Sequence, residues 1–221
     1  HRRRMTAALQ DLHHAVELDP RLAEGLLKLA YAYRYQGDLT RAELYVRRAM
    51  SLDPEDARMP VNLATILVRL GRHAEARAAA QRTLDLAPGP YWRAYALSRA
   101  ILAATGAGDL AALPALEAEV VATLGEDDEY GLAVRAMAAA FAGRHDEARA
   151  LLDHPTVLAS HDPDTLLDAA RAAVLIGERA TALDALERAA ELVDLDELAR
   201  DPQLSTLRDD PRYAGLMDTS S

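Results

Sequence analysis

The sequence predicts an all-α solenoid in which pairs of helices repeat along the chain. Half of the 221 residues are hydrophobic, yet only 5% are aromatic, and alanine is abundant. Alanine favours helices whereas strands favour aromatic and β-branched residues, so this composition argues against a mainly β fold. Proline and glycine recur with a period close to 34 residues. The segments between them carry apolar residues at positions i, i+3, i+4 and i+7, which is typical of amphipathic helices.

The periodic prolines and glycines mark the expected ends of the helices. Pro20, Pro54 and Pro88 are 34 residues apart, and each closes a similar phrase. Five glycines recur at intervals of 34 to 37 residues, namely Gly37, Gly71, Gly108, Gly143 and Gly177. Glycine permits a tight turn, and proline starts a helix where its missing N–H costs little. Each repeat is therefore predicted to be helix, glycine turn, helix, proline turn.

Within one period, large and small apolar residues alternate in a fixed order. Residues 23–56 place large side chains at Leu26, Leu29, Tyr33 and Val46 and small ones at Ala30, Ala42 and Ala49. This pattern resembles the tetratricopeptide repeat (TPR) family, in the form of bacterial-type arrays. The resemblance implies a right-handed superhelix in which small residues let paired helices approach and large residues fill the space between pairs.

On this resemblance, residues 1–221 are expected to form a single solenoid domain. Its expected parts are the second helix of a truncated repeat at 5–20, repeats at 23–56, 57–90, 91–126, 129–162 and 163–196, and a C-terminal capping helix within 197–221. Because 5–20 match a second helix, the sequence is expected to begin inside a repeat. We expect the third repeat to be irregular, with a longer first helix and with Leu113-Pro114 where a small residue belongs. We expect residues 153–162 to form a loop.

Charge and cysteine content limit the class of protein. The formal net charge is −10, which argues against a general nucleic-acid binder. Residues 1–100 hold 16 basic and 11 acidic residues (+5), whereas 101–221 hold 9 and 24 (−15). No stretch approaches the ~18 apolar residues of a membrane span, and the basic start lacks the apolar run of a signal peptide. Without cysteine, a reducing cytosol and export both fit, and the cytoplasm is favoured.

The sequence offers little for catalysis. The phosphate-binding, dinucleotide-binding and zinc-protease motifs are absent, and His13-His14 are adjacent, so they cannot share a helix face. In His73-Ala74-Glu75, the acidic Glu75 follows a glycine turn, where it complements a helix N-terminus. We predict a non-enzymatic protein with no metal site and no cofactor.

The resemblance implies that the first helices of successive repeats line a concave, partner-binding groove. The expected partner-binding residues are Leu27, Tyr31, Arg34, Tyr35, Arg58, Asn62, Thr65, Arg69, Trp92, Tyr95 and Arg99. Four of them are aromatic, and the arginines suit an acidic or phosphorylated peptide. The positions on the third repeat depend on register, which shifts by two when counted from Gly108 rather than Pro88. TPR domains that clamp the C-termini of heat-shock chaperones match here only at Asn62, which argues against that partner.

Three functional classes remain open at this point. The first is a scaffold or adaptor that binds a partner peptide or protein in the groove, as part of a longer chain. The second is a self-assembling scaffold whose oppositely charged halves meet in homo-oligomers. The third is a regulatory or ligand-sensing region of an enzyme. For the first class, we expect Arg34 and Arg69 to be surface residues with little effect on stability.

Overall fold

The computed structural model describes residues 2–86, 89–192 and 201–219, with side chains for 8–86, 89–192 and 201–217. Every regular element in these ranges is helical, which confirms the all-α prediction. The α-helices are α1 (Arg2–Leu18), α2 (Ala23–Gln36), α3 (Leu39–Leu52), α4 (Arg58–Arg69), α5 (His73–Leu86), α6 (Pro90–Gly106), α7 (Leu113–Leu124), α8 (Glu129–Phe141), α9 (His145–Leu152), α10 (Pro155–Leu158), α11 (Pro163–Leu175), α12 (Arg179–Ala190) and α13 (Pro211–Thr219). Two 3-10 helices lie at Leu110–Ala112 and Pro202–Leu207.

The chain divides into two compact units, the first ending at Ala107 and the second beginning at Gly108. The first unit contains α1 to α6, and the second contains α7 to α13. The single solenoid domain over 1–221 stays a prediction.

The periodic glycines end helices in the left-handed backbone conformation. Gly37 has φ +79°, its N–H donates to the carbonyl of Arg34 at 3.0 Å, and the next N–H, of Asp38, donates to Tyr33 at 2.9 Å. Residues with a Cβ avoid this conformation, so glycine is required where one helix stops and its partner starts two residues later. The same conformation recurs at Gly71, Gly108, Gly143 and Gly177. Pro88 lies outside the described residues.

Small buried residues allow the helices of each pair to approach closely. In the first unit, Ala42 and Ala49 of α3 are fully buried, and Leu26 and Leu29 of α2 are fully buried as well. Close approach of backbones together with interlocking leucines produces the dense packing on which core stability depends. In the second unit the corresponding small residues are also fully buried, at Ala136, Ala139, Ala148, Ala170 and Ala182.

Polar contacts at a spacing of 27 to 29 residues link successive second helices. Arg48 donates to the carbonyl of Pro20 at 3.0 Å, and Arg82 repeats this contact with Pro54 at 2.9 Å. Glu43 and Arg72 form an ion pair at 2.6 Å. Ion pairs at equivalent spacing connect Glu117 to Arg144 and Arg149 to Glu178 in the second unit. Each exposed pair contributes little to stability, but their recurrence shows that neighbouring repeats dock in one register.

The third and fourth repeats depart from the regular pattern. Helix α6 has 17 residues against 14 in α2, and α7 starts with the fully buried Leu113 after a 3-10 turn. The predicted loop at 153–162 is wrong in part, because it contains the single helical turn α10. Pro155 occupies the first position of that turn, and the His154 side chain accepts a hydrogen bond from the N–H of Thr156. A fixed proline φ and a side-chain cap together suffice to start a helical turn.

The C-terminal segment packs on α11 and α12. Leu204, Leu207 and Tyr213 are buried, and burial raises the pKa of Tyr213 above its ordinary value, to which the nearby Asp201 adds. The segment is held by Arg171 of α11, which contacts Asp168 at 2.5 Å and Asp201 at 2.9 Å. Part of the predicted cap at 197–221 lies outside the described residues.

Candidate functional site

Helices α2, α4 and α6 bring together a contiguous set of aromatic and polar side chains, which we call the first-helix surface. Its members are Tyr31, Arg34, Tyr35, Arg58, Asn62, Tyr91, Trp92, Tyr95 and Arg99. Residues three or four apart lie on one face of a helix, which is the spacing of these side chains along each of the three helices. All of them belong to the first compact unit.

Asn62 lies at the centre of the contact between α2 and α4. Its Oδ1 accepts a hydrogen bond from Arg34 at 3.1 Å, and its Nδ2 donates to the hydroxyl of Tyr31 at 3.0 Å and to the carbonyl of Arg58. Only 4% of Asn62 is exposed. Its amide therefore holds two helices together and is not available to clamp a partner's carboxylate.

Arg34 is built into the same contact. Its guanidinium carbon lies 5.5 Å from the ring centre of Tyr31 and 5.6 Å from that of Tyr35, and 9% of the residue is exposed. A guanidinium is weakly hydrated and stacks on aromatic faces, so it tolerates this burial. The expectation that Arg34 is a surface residue of little importance to stability is therefore wrong.

The charge of Arg58 is balanced by carboxylates of the same unit. Its guanidinium contacts Asp56 at 2.6 Å and Glu24 at 2.9 Å. Burial alone would raise the pKa of Asp56, but hydrogen bonds from Arg58 and its positive charge outweigh this and hold the pKa below its ordinary value. The hydrogen bonds with Asp56 likewise raise the pKa of Arg58, so the ion pair persists over the physiological pH range.

Three aromatic rings cluster at the start of α6. The ring centres of Tyr91 and Trp92 are 5.0 Å apart, those of Trp92 and Tyr95 are 6.3 Å apart, and Tyr91 stacks with Tyr95 at 6.5 Å. Tyr91 is 49% exposed, and the other two rings are half-buried. Arg99 lies over the opposite end of this cluster, 4.6 Å from the ring centre of Tyr95, and donates to the hydroxyl of Ser98.

Helix α6, which carries the aromatic cluster, packs directly against α4. Burial raises the pKa of Tyr31 above its ordinary value, the cations Arg34 and Arg58 and the Asn62 hydrogen bond oppose the rise, and Tyr95 adds to it. The first-helix surface thus runs from Tyr35 on α2 to Tyr91 on α6.

Comparison with known proteins identifies the repeat. A family model described as tetratricopeptide repeat matches residues 27–90, which contain α3, α4 and α5 and most of α2. Residues 27–90 carry tetratricopeptide repeats. No curated protein matches the sequence.

Solved TPR structures share the fold at low sequence identity. PilW, a widely conserved type IV pilus biogenesis factor, is 21% identical with a TM-score of 0.61, over 92% of this chain and 90% of that protein. PilF of Pseudomonas aeruginosa is 19% identical with a TM-score of 0.60, over 90% and 89%. YrrB, described as a TPR protein with an unusual peptide-binding site, is 19% identical with a TM-score of 0.50, over 88% and 95%. At such identities the likeness concerns the fold.

Several residues expected to line the groove are buried, and one lies towards the end of α4. Leu27 is completely buried and belongs to the core. Thr65 is buried, and its hydroxyl donates to the carbonyl of Val61 at 3.0 Å. Arg99, with 6% exposed, is buried beneath Tyr95. Arg69 is half-buried at the end of α4, seven residues and about 10 Å from Asn62 along the same helix face.

Tyr91 was missed by the sequence reasoning, although its position offers a signal. It precedes Trp92 directly and is four residues before Tyr95, the spacing of neighbours on one helix face. The register taken from Pro88 puts Trp92, Tyr95 and Arg99 among the expected groove residues, and the structure brings these three side chains into contact.

Two further findings concern metal binding and membrane crossing. Within the described residues, no group of three or more His, Asp and Glu side chains has the arrangement of a metal site. In the same part of the chain, no helix has the length and apolar character needed to cross a membrane.

Proposed function

We propose that this chain is a non-enzymatic protein-interaction module that binds a segment of a partner protein along the first-helix surface. The observation that carries the proposal is the presence of partly exposed aromatic rings on two first helices, Tyr31 and Tyr35 on α2 and Tyr91, Trp92 and Tyr95 on α6. Aromatic side chains dominate the energetics of protein interfaces. Packed helices already hold these rings in place. The side chains of this protein therefore lose little conformational freedom when a partner binds.

The structural comparisons support this class of function. YrrB, which has a similar fold, is described as having a peptide-binding site, and PilW is described as a type IV pilus biogenesis factor. A role as scaffold or adaptor, alone or as the regulatory part of a longer chain, agrees with both descriptions.

Selection from a random peptide library displayed on phage tests the proposal. Trp92 is the single tryptophan of the chain, so its fluorescence reports directly on ligands that reach the first-helix surface. We expect the selected peptides to change this fluorescence and to lose at least about tenfold in affinity when Tyr95 is replaced by alanine. The control is Tyr45→Ala, which also removes a half-buried ring but lies on α3, stacked on Tyr33. Equal affinity of the selected peptides for the unaltered chain, the Tyr95→Ala variant and the Tyr45→Ala variant would contradict the proposal.

Self-association is a second candidate function, and one observation favours it. The first 100 residues carry a net charge of +5 and the remainder −15. Opposite fields on one chain favour head-to-tail contact between copies.

A further inference from the structure

We infer that the partner segment is proline-rich, extended and uncharged, and not the acidic peptide that the arginines of the first-helix surface indicate at first sight. The inference rests on the proposed function and names the chemistry of the ligand that this surface accepts.

The charges of the first-helix surface are already engaged within the protein. Arg58 contacts the carboxylates of Asp56 and Glu24. Arg34 and Arg99 are more than nine-tenths buried, lie over tyrosine rings and hydrogen-bond to Asn62 and Ser98. A carboxylate or phosphate would have to displace these partners or enter buried positions, and desolvating an anion is costly. Because its arginines are paired or buried within the protein, the first-helix surface favours an uncharged segment over an acidic one.

The packing of the aromatic rings indicates which neutral segment fits. The rings of Tyr91, Trp92 and Tyr95 contact one another, with centres 5.0 to 6.5 Å apart, so they leave no cage in which an alkylated cation could sit among them. They offer outward faces and edges instead. Proline rings pack flat on aromatic faces, and proline-rich segments are bound on aromatic-lined surfaces because their polyproline II helix is already ordered before binding.

Hydrogen bonding points to the same ligand. Proline has no N–H, so a polyproline II helix cannot satisfy its own carbonyl groups by internal hydrogen bonds. When the segment is bound, these carbonyl groups need donors from the protein. The indole N–H of Trp92 is a donor, and so are tyrosine hydroxyls. At Tyr31 the amide of Asn62 donates to the hydroxyl oxygen, so the O–H of Tyr31 remains a donor for a ligand carbonyl.

The dimensions agree as well. One turn of a polyproline II helix advances about 9 Å in three residues. Packed neighbouring helices lie about 8–10 Å apart, and α4 packs directly against α6. A polyproline II segment laid across α4 and α6 therefore repeats its ring position at about the spacing of these two helices, and ten residues extend about 31 Å.

The test compares three capped ten-residue peptides with the full chain: decaproline, alternating Glu-Ser and alternating Gly-Ser. Binding is measured by calorimetry and by Trp92 fluorescence at low and high NaCl. We expect decaproline to bind and the other two to bind at least about tenfold more weakly, with a decaproline affinity nearly independent of salt because no ion pair forms. Trp92→Ala, followed by calorimetry, is expected to abolish binding. Tyr95→Phe, which keeps the ring and removes the donor, is expected to weaken it, and Tyr45→Phe is expected to leave it unchanged.

Two results overturn the inference while the proposed function stands. One is tighter, salt-sensitive binding of the Glu-Ser peptide. The other is selection from the library of peptides that need Trp92 and Tyr95 but contain no proline, together with no binding of decaproline. If selected peptides bind regardless of Trp92 and Tyr95, the proposed function itself is wrong.

Discussion

At the scale of single residues, Arg34 connects the fold to the site. Its guanidinium lies over the rings of Tyr31 and Tyr35 and donates to Asn62, so the same side chain stabilises the contact of α2 with α4 and positions two rings of the surface. A buried hydrogen bond with a charged donor stabilises by more than a neutral one, and its loss leaves the acceptor without a partner.

Arg34→Ala is therefore expected to lower the free energy of unfolding by about 1–3 kcal/mol, because the buried Oδ1 of Asn62 loses its donor. Urea denaturation measures the change. Arg21→Ala, which removes an exposed guanidinium, is the control and is expected to change stability by less than about 0.5 kcal/mol. Equal stability of the two variants would show that Arg34 is not part of the structural contact.

Tyr33 has a different role on the same helix. It is 7% exposed, its hydroxyl contacts Nε2 of His13 at 2.7 Å, and its ring stacks on Tyr45. We expect Tyr33→Ala to cost roughly 3–5 kcal/mol through lost packing and Tyr33→Phe to cost about 1 kcal/mol through the lost hydrogen bond. Urea denaturation monitored by circular dichroism measures the free energy of unfolding of both variants. A loss for Tyr33→Phe as large as that for Tyr33→Ala would contradict the division between packing and hydrogen bonding.

The two side chains show how far sequence reasoning reaches at this scale. Tyr31, Arg34 and Tyr35 share one face of α2 because they are three or four residues apart. Tyr33 falls on another face of the same helix, so helical spacing separates it from the other three. The burial of Arg34 depends on Asn62, which is 28 residues away and contributes one specific amide. No periodic signal encodes that contact, so the burial of Arg34 could not be predicted from the sequence.

At the scale of elements, a buried ion network fastens the C-terminal segment. Asp168 is 1% exposed, and Arg171 joins it to Asp201, the residue that caps the 3-10 helix Pro202–Leu207. Burial would lower the pKa of Arg171, but the two carboxylates raise it, so the guanidinium stays charged. Removing one member of a buried ion pair is costly because the remaining charge has no compensation.

Arg171→Ala is expected to destabilise the second unit by about 3–5 kcal/mol and to make residues 201–217 sensitive to proteolysis. Arg212 is the matched control, because it links α13 to Asp184 and Glu187 through exposed ion pairs. Arg212→Ala is expected to cost less than about 1 kcal/mol. Urea denaturation and limited proteolysis check both variants, and equal losses would contradict the importance assigned to burial.

The repeat period predicts the helices but not this network. Gly37 and Gly71 mark the ends of α2 and α4 in the sequence because only glycine readily adopts the observed conformation there. Arg171 and Asp201 have no counterpart in the other repeats, since the period stops before residue 201. Likewise α10 interrupts an expected loop because Pro155 and His154 form a local cap that no repeat pattern contains.

At the scale of the whole molecule, charge is distributed unevenly, at +5 for residues 1–100 and −15 for 101–221. If copies associate through this asymmetry, their attraction must weaken as salt shortens the Debye length from about 10 Å at 0.1 M to about 3 Å at 1 M. We expect the mean mass from static light scattering to fall towards the monomer between 0.05 and 0.5 M NaCl. An oligomer whose mass is unchanged by salt would indicate an apolar interface instead.

The central claim is that a partner segment binds along the first helices α2, α4 and α6. Photo-crosslinking tests it most directly, with a library-selected peptide that carries a benzophenone side chain and with mass spectrometry of the crosslinked full-length chain. We expect crosslinks to residues of the first-helix surface, above all to Tyr31, Trp92 and Tyr95, and we expect them to disappear when unlabelled peptide competes. Competed crosslinks confined to α3, α5 or the second unit would contradict it.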